Sequence, residues 1–319
     1  MVPRKLVVPF VALAVLLSSL GGSAQTDATK NEPVRFQWKF EKDKPFFEES
    51  VTDTKHEMKV MGMDVKQHQK MTVWTRLTPT GRDEARNWTV VRKIERIKMD
   101  LEIGGVRVGG APAVSFDSDN PGANFTLARA YAPIIGSEST YVLSPEMRIL
   151  KATFKKSQPG DPAMAPLIDQ ILNEQAVKLM GEQVFGVFPA QGARKGETWK
   201  HETAYSMGPI GSYRMASTHT YDSREGAVDR VKVETAMTYQ PPPADAKGGF
   251  KIKRGELTAG TEASALFRFN HEKGRIEDSD STMDIRGKLT IEIGGMETEI
   301  DLFQIQKVVV KVSDAPPKK

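Results

Sequence analysis

The chain has 319 residues, with 45 Lys and Arg against 41 Asp and Glu, and no cysteine. Charges of both signs are interspersed rather than gathered into a basic stripe, which speaks against a nucleic-acid partner. The missing cysteine excludes a disulfide framework, a thiolate metal site and a lipid carried on an N-terminal cysteine.

Arg4 and Lys5, the apolar run Leu6 to Leu17, and the small residues Gly21 to Ala24 have the layout of a secretory signal peptide over residues 1–24, cleaved after Ala24. The run is too short to span a bilayer of about 30 Å, and no transmembrane anchor is expected after cleavage. Export without disulfides points to a bacterial protein that is periplasmic, at the cell surface or extracellular. A flexible segment, 25–33, is expected next, then a first β-rich region with a short helix (34–156), a helical connection (157–184), a second β-rich region (185–312) and a disordered tail (313–319).

The strand signal is period-two alternation. Ile97, Met99, Leu101 and Ile103 alternate with charged residues up to Gly104 and Gly105. A two-residue turn there would set Ile103 opposite Val106 and Leu101 opposite Val108. The same device recurs at Gly294 and Gly295, where Ile293 should pair with Met296 and Leu289 with Ile300. A weaker hairpin is expected about Gly62 and Met63, with His56 opposite Gln69 and His68 opposite Glu57, the two histidines on opposite faces. The glycine hairpins, with the resemblance of Trp38-Lys-Phe-Glu to Trp199-Lys-His-Glu, hint at a duplication with Gln240 to Gly249 inserted in the second half.

Helices are expected from Asn124 over Leu127 to Ile135, from Asp161 with Met164, Leu167, Ile168, Ile171 and Leu172 at helical spacing, and from Asn173 through Met180, stopped by Gly181. Their apolar stripes must cover the apolar face of a sheet. The fold class is therefore α+β, mostly β, with curved antiparallel sheets and a few short amphipathic helices. The strands form either one continuous sheet or two similar halves.

Chemistry is sparse. The five histidines, His56, His68, His201, His219 and His271, lack metal-ligand spacing and read as surface residues. Asp117 to Gly122 resembles a calcium loop, but Pro121 and Ala128 occupy ligand positions, so an Asx turn is the better reading. No Gly-x-Ser-x-Gly elbow or phosphate loop is present. No catalytic, cofactor or metal residue is assigned, and no cofactor is expected. The residues proposed to line a ligand are Met99, Leu101, Ile103, Leu167, Ile171, Leu289 and Ile291. Methionines 58, 61, 63, 71 and 99 concentrate in the first β region, as gap fillers or as an adaptable apolar surface.

Lys59-Val-Met-Gly-Met-Asp-Val, the segment Met164 to Met180, Lys195-Gly-Glu-Thr-Trp199, Met207-Gly-Pro-Ile-Gly-Ser-Tyr213 and Ile291-Glu-Ile-Gly-Gly-Met296 together resemble an uncharacterised family of secreted bacterial β-rich proteins. The resemblance implies export and fold and assigns no residue a role. The expected function is a non-catalytic envelope protein, first as a structural or interaction module that meets another envelope protein, and alternatively as a carrier or sensor of a hydrophobic small molecule such as a lipid. The carrier requires an apolar cavity of a few hundred Å³.

Overall fold

The computed structural model describes residues 32–60, 63–105, 113–122, 124–159, 172–206, 211–243, 251–260, 263–293 and 295–317. The first region supplies strands β1 (Phe46–Val60), β2 (Met63–Arg82), β3 (Trp88–Gly105), β4 (Val114–Asp117), β5 (Glu138–Leu143) and β6 (Ile149–Lys155). The second supplies β7 (Thr198–Ser206), β8 (Ser212–Glu225), β9 (Val228–Gln240), β10 (Lys251–Ala259), β11 (Ser264–Asn270), β12 (Arg275–Ile293) and β13 (Met296–Ser313). All join one sheet in the order β6-β5-β3-β2-β1-β13-β12-β10-β9-β8-β7, with β4 on β3 and β11 on β12. Because β1 pairs with β13 over its whole length, the two regions are halves of one continuous antiparallel sheet rather than separate subdomains.

The sheet must curl. Tyr141 and Ile149 of β5 and β6 share one core with Tyr221 and Val231 of β8 and β9, although these strands lie towards opposite ends of the strand order. The extended segment at Phe36, Trp38 and Phe40 fills this core, with rings stacked or edge-on against Phe185, Phe188, Trp88 and Phe269. Its entry is fixed by the antiparallel bridge Val34 to Ala193. Trp38 therefore lies outside any strand whereas Trp199 lies in β7, so the two tryptophan motifs are not structural equivalents.

Two helices are described. Helix α1 (Phe125–Tyr131) is capped by Asn124, whose side chain accepts from the Leu127 N–H at 3.3 Å. It ends before Pro133, short of the expected Ile135, as a ring without an N–H requires. Helix α2 (Glu174–Phe185) is capped by Asn173, which accepts from the Ala176 N–H at 2.9 Å. Gly181 does not stop it. The helix runs on to Phe185, and Gly181 is where it presses on Tyr141: a Cβ there would lie 2.6 Å from the ring. The expected helix from Asp161 lies outside the described residues, with Leu167 and Ile171.

Three hairpin expectations meet different outcomes. Ile293 pairs with Met296 and Leu289 with Ile300, as the alternation requires. The first glycine pair is not such a turn, because Gly104 and Gly105 end strand β3 and Leu101 pairs with Val114; Val106 and Val108 lie outside the described residues. The β1-β2 ladder closes on Val60 and Met63, so His56 faces Gln67 rather than Gln69, and His68 faces Lys55 rather than Glu57. The shift is by two residues, which preserves parity, so the two histidines do lie on opposite faces. The convex face interleaves charged side chains, Glu49, Asp53, Lys55 and Glu57 on β1 and Asp278, Asp280, Arg286 and Lys288 on β12, with apolar ones, Val51 on β1, Trp74 on β2 and Phe303, Ile305 and Val309 on β13. A membrane-spanning barrel needs an apolar band there. No described helix is long and apolar enough to cross a membrane.

Candidate functional site

The central strand β1 is polar on both faces. Its concave face carries Glu48, Ser50, Thr52, Thr54 and His56, all buried. The register sets Thr54 between Gln69 and Gln306, and His56 between Gln67 and Gln304. Adjacent strands lie about 4.8 Å apart, so these side chains form one seam. At its lower end Glu48 accepts from Arg92 at 3.2 Å, and Arg92 reaches the Thr75 hydroxyl at 3.4 Å. Above that ion pair, the described concave positions of β1, β2, β3, β12 and β13 carry no Asp, Glu, Lys or Arg.

Within the seam, His56, Gln67 and Gln306 are 4%, 8% and 6% exposed, and the Nε2 atom of each has no hydrogen-bond partner. An unmet buried polar atom costs about 1–3 kcal/mol, so three on adjacent strands are a sustained expense for the fold. Burial also lowers the His56 pKa to about 4, so its imidazole is neutral at pH 7. His219, 3% exposed and stacked on Trp199, is likewise lowered to about 4, by burial first and then by the neighbouring His201. The expectation that all five histidines are surface residues is thus wrong for His56 and His219. The cause is that the inward face of the sheet is itself partly polar. His68, on the convex face, bonds Asp53 at 3.0 Å, and His201 and His271 are half-buried.

Apolar walls flank the seam. On β3, Leu101 is buried and Ile103 half-buried. On β12, Met283, Ile285, Leu289 and Ile291 are buried. Of the residues expected to line a ligand, Leu101, Ile103, Leu289 and Ile291 therefore stand on the two walls of one concave face. Met99 shares that face but is closed over, since Tyr131 donates to its sulfur at 3.3 Å and Phe116 stacks on Tyr131. Below the seam the space between sheet and α2 is filled, and a cavity lined by Trp38, Phe46, Glu48, Leu77 and Val184 measures only 40 Å³. Ligand pockets occupy about 300–1,000 Å³, so no acyl chain fits beneath α2, and the cavity that a carrier was expected to hold between sheet and helices is not found there.

Elsewhere Asp284, 1% exposed, makes no hydrogen bond through either carboxylate oxygen, and the indole nitrogens of buried Trp38 and Trp88 also lack partners, whereas two other clusters are satisfied. Asp229, fully buried, accepts from Tyr221 at 2.9 Å and from Arg224 at 2.7 and 3.0 Å, which ties β8 to β9. Asp117 pairs with Arg96 and accepts from the Asp119 N–H at 3.0 Å, an Asx turn as expected. Among the described residues no three His, Asp or Glu side chains are grouped to hold a metal ion.

No curated protein matches the chain. Among solved structures it aligns with one titled "Lipid-protein interactions in lipovitellin" at 12% identity, over 88% of this chain and 26% of that one, with a TM-score of 0.43. The chain thus spans about a quarter of that protein. OccK7 (OpdD) of Pseudomonas aeruginosa aligns at 5% identity, over 84% and 98% of the two chains, with a TM-score of 0.27. An outer membrane channel of Pseudomonas putida F1 aligns at 7%, over 90% and 100%, with a TM-score of 0.26. These scores are too low to equate the folds. The matching family is more definite in extent, running from the turn before β6, through α2, to the start of β11, and leaving the seam of β1, β2 and β13 outside it. Residues 146–265 match the model of the Family of unknown function (DUF6263).

Proposed function

We propose that this chain is an exported, non-catalytic carrier that holds a hydrophobic ligand against the concave face of its sheet. The observation behind this reading is the uncharged concave surface above the Glu48–Arg92 pair, with three buried side-chain nitrogens that lack partners along its centre. A protein with only a structural role gains nothing from such a seam, because apolar residues of similar volume would remove its cost. A ligand that meets those nitrogens offsets the cost when it binds, and because they and the walls beside them are buried without one, the concave face has to part to admit it. The reading as an interaction module is less well supported at the β6 edge, where a bulge at Leu150 and the flanking Lys151 and Lys155 are devices that prevent strand pairing.

The test is uptake of N-phenyl-1-naphthylamine, a neutral probe that brightens in apolar surroundings. The wild-type chain should bind it saturably. Ile285→Glu with Leu289→Glu, which puts two charges on the β12 wall, should weaken binding at least tenfold, as burying unpaired carboxylates next to an apolar ligand demands. Absence of saturable uptake by wild type, or unchanged uptake by a folded double variant, counts against the carrier.

A further inference from the structure

Given the carrier reading, on which this inference rests, the seam also identifies the polar part of the ligand. We infer that the ligand presents neutral carbonyl oxygens, as an acyl ester or amide does, to His56, Gln67 and Gln306, and that the seam refuses an ionised carboxylate or phosphate.

The unmet atoms are all nitrogens. The Nε2 of a glutamine only donates, and a neutral imidazole nitrogen that carries its proton also donates, so the complement is a group rich in acceptors. Gln67 lies directly across from His56, and Gln306 directly across from Thr54 one inward position below, so the three converge from adjacent strands on a patch about two strand spacings wide. An ester or amide carbonyl satisfies such donors without bringing charge. A carboxylate or phosphate satisfies them too, but needs a cation to offset its lost hydration. The described concave face offers none above Arg92, which is engaged by Glu48. Glu48 and Arg92 lie eight residues of β1 below His56, roughly 26 Å along an extended strand, too far to act as counter-charge. The convex face is charged, yet its side chains point to the other side of the sheet. On either side of the donors stand Leu101 and Ile103 or Ile285 and Leu289, buried apolar side chains that, once parted, suit the acyl part of such a molecule and not a sugar or a peptide rich in charge.

The experiment measures displacement of N-phenyl-1-naphthylamine by a monoacylglycerol and by oleate at pH 8, where oleate is ionised. The monoacylglycerol should bind wild type at least tenfold more tightly than oleate. Gln67→Met with Gln306→Met should lower the ratio of ester affinity to naphthylamine affinity about tenfold or more, because only the ester carries a carbonyl. This variant should fold with a thermal midpoint at or above that of wild type, since it removes buried donors without partners. If oleate binds as well as the ester, or the double variant keeps the wild-type ratio, the carbonyl assignment is wrong while the carrier stands. If wild type binds neither the probe nor the ester, the carrier reading falls with it.

Discussion

Gly287→Ala should be among the most damaging single substitutions in the chain, costing roughly 3–5 kcal/mol and leaving little folded protein at 37 °C. Gly287 sits mid-way along β12 at φ +155, opposite Leu257 of β10, and a Cβ built on it lies 1.8 Å from the Glu256 carbonyl oxygen and 3.0 Å from the Leu257 Cα. Both obstacles are backbone, so neither can rotate away. Relief requires parting the β10-β12 ladder, which joins the β8-β9 wing of the sheet to its centre. Gly104→Ala is the control, because its Cβ meets nothing within 4 Å, and it should shift stability by less than about 0.5 kcal/mol. Urea unfolding of the two variants checks the pair. Equal, small effects would mean that the β10-β12 ladder yields at Gly287.

Stability should also fall steeply between pH 6.5 and pH 4. His56 and His219 take up a proton at about pH 4 when folded, against 6.5 in the unfolded chain. Across that window the unfolded state binds more protons, so protonation draws the equilibrium towards it. The full stability is present above pH 6.5 and is lost as pH drops towards 4. A displacement of this size corresponds to about 3 kcal/mol for each histidine, a large share of the roughly 5–15 kcal/mol by which domains are stable. Asp117, Glu277 and Glu292, whose carboxyls are held below their ordinary values by hydrogen bonds from Arg96, Lys273 and Lys253, withdraw their contributions at still lower pH. The two effects are therefore separable. His56→Leu with His219→Phe should flatten the urea midpoint between pH 7 and pH 5, and a profile as steep as wild type would place the acid sensitivity elsewhere.

The strands were legible in the sequence where one face is apolar and the other charged. The β12-β13 hairpin is such a case, since Leu289, Ile291 and Ile300 leave only one register that buries them together. Both helix caps were legible too, because Asn124 and Asn173 act through their own side chains. What Gly181 does depends on Tyr141, forty residues away in sequence, and local reasoning about helix stops has no access to that contact. The seam was missed for a related reason. Apart from Val51, residues 48–56 are polar at odd and even positions alike, which removes the alternation that marks an inward face, and a histidine such as His56 within such a stretch looks solvent-exposed. The usable signal was that same lack of alternation in a strand long enough to sit at the centre of a large sheet. Four of the expected lining residues, Leu101, Ile103, Leu289 and Ile291, did fall on the face that carries the seam, because apolar alternation identifies a buried face without showing what lies beside it.

The most direct test of a ligand on the concave face is native mass spectrometry of the chain purified gently from its own host. A bound neutral acyl ester or amide, released on denaturation and absent from the Gln67→Met and Gln306→Met double variant, is the result expected here. A clean apo mass from the host, with no adduct formed on adding monoacylglycerol, would contradict it and leave the seam as buried polarity in a protein that meets its partners by its outer surface.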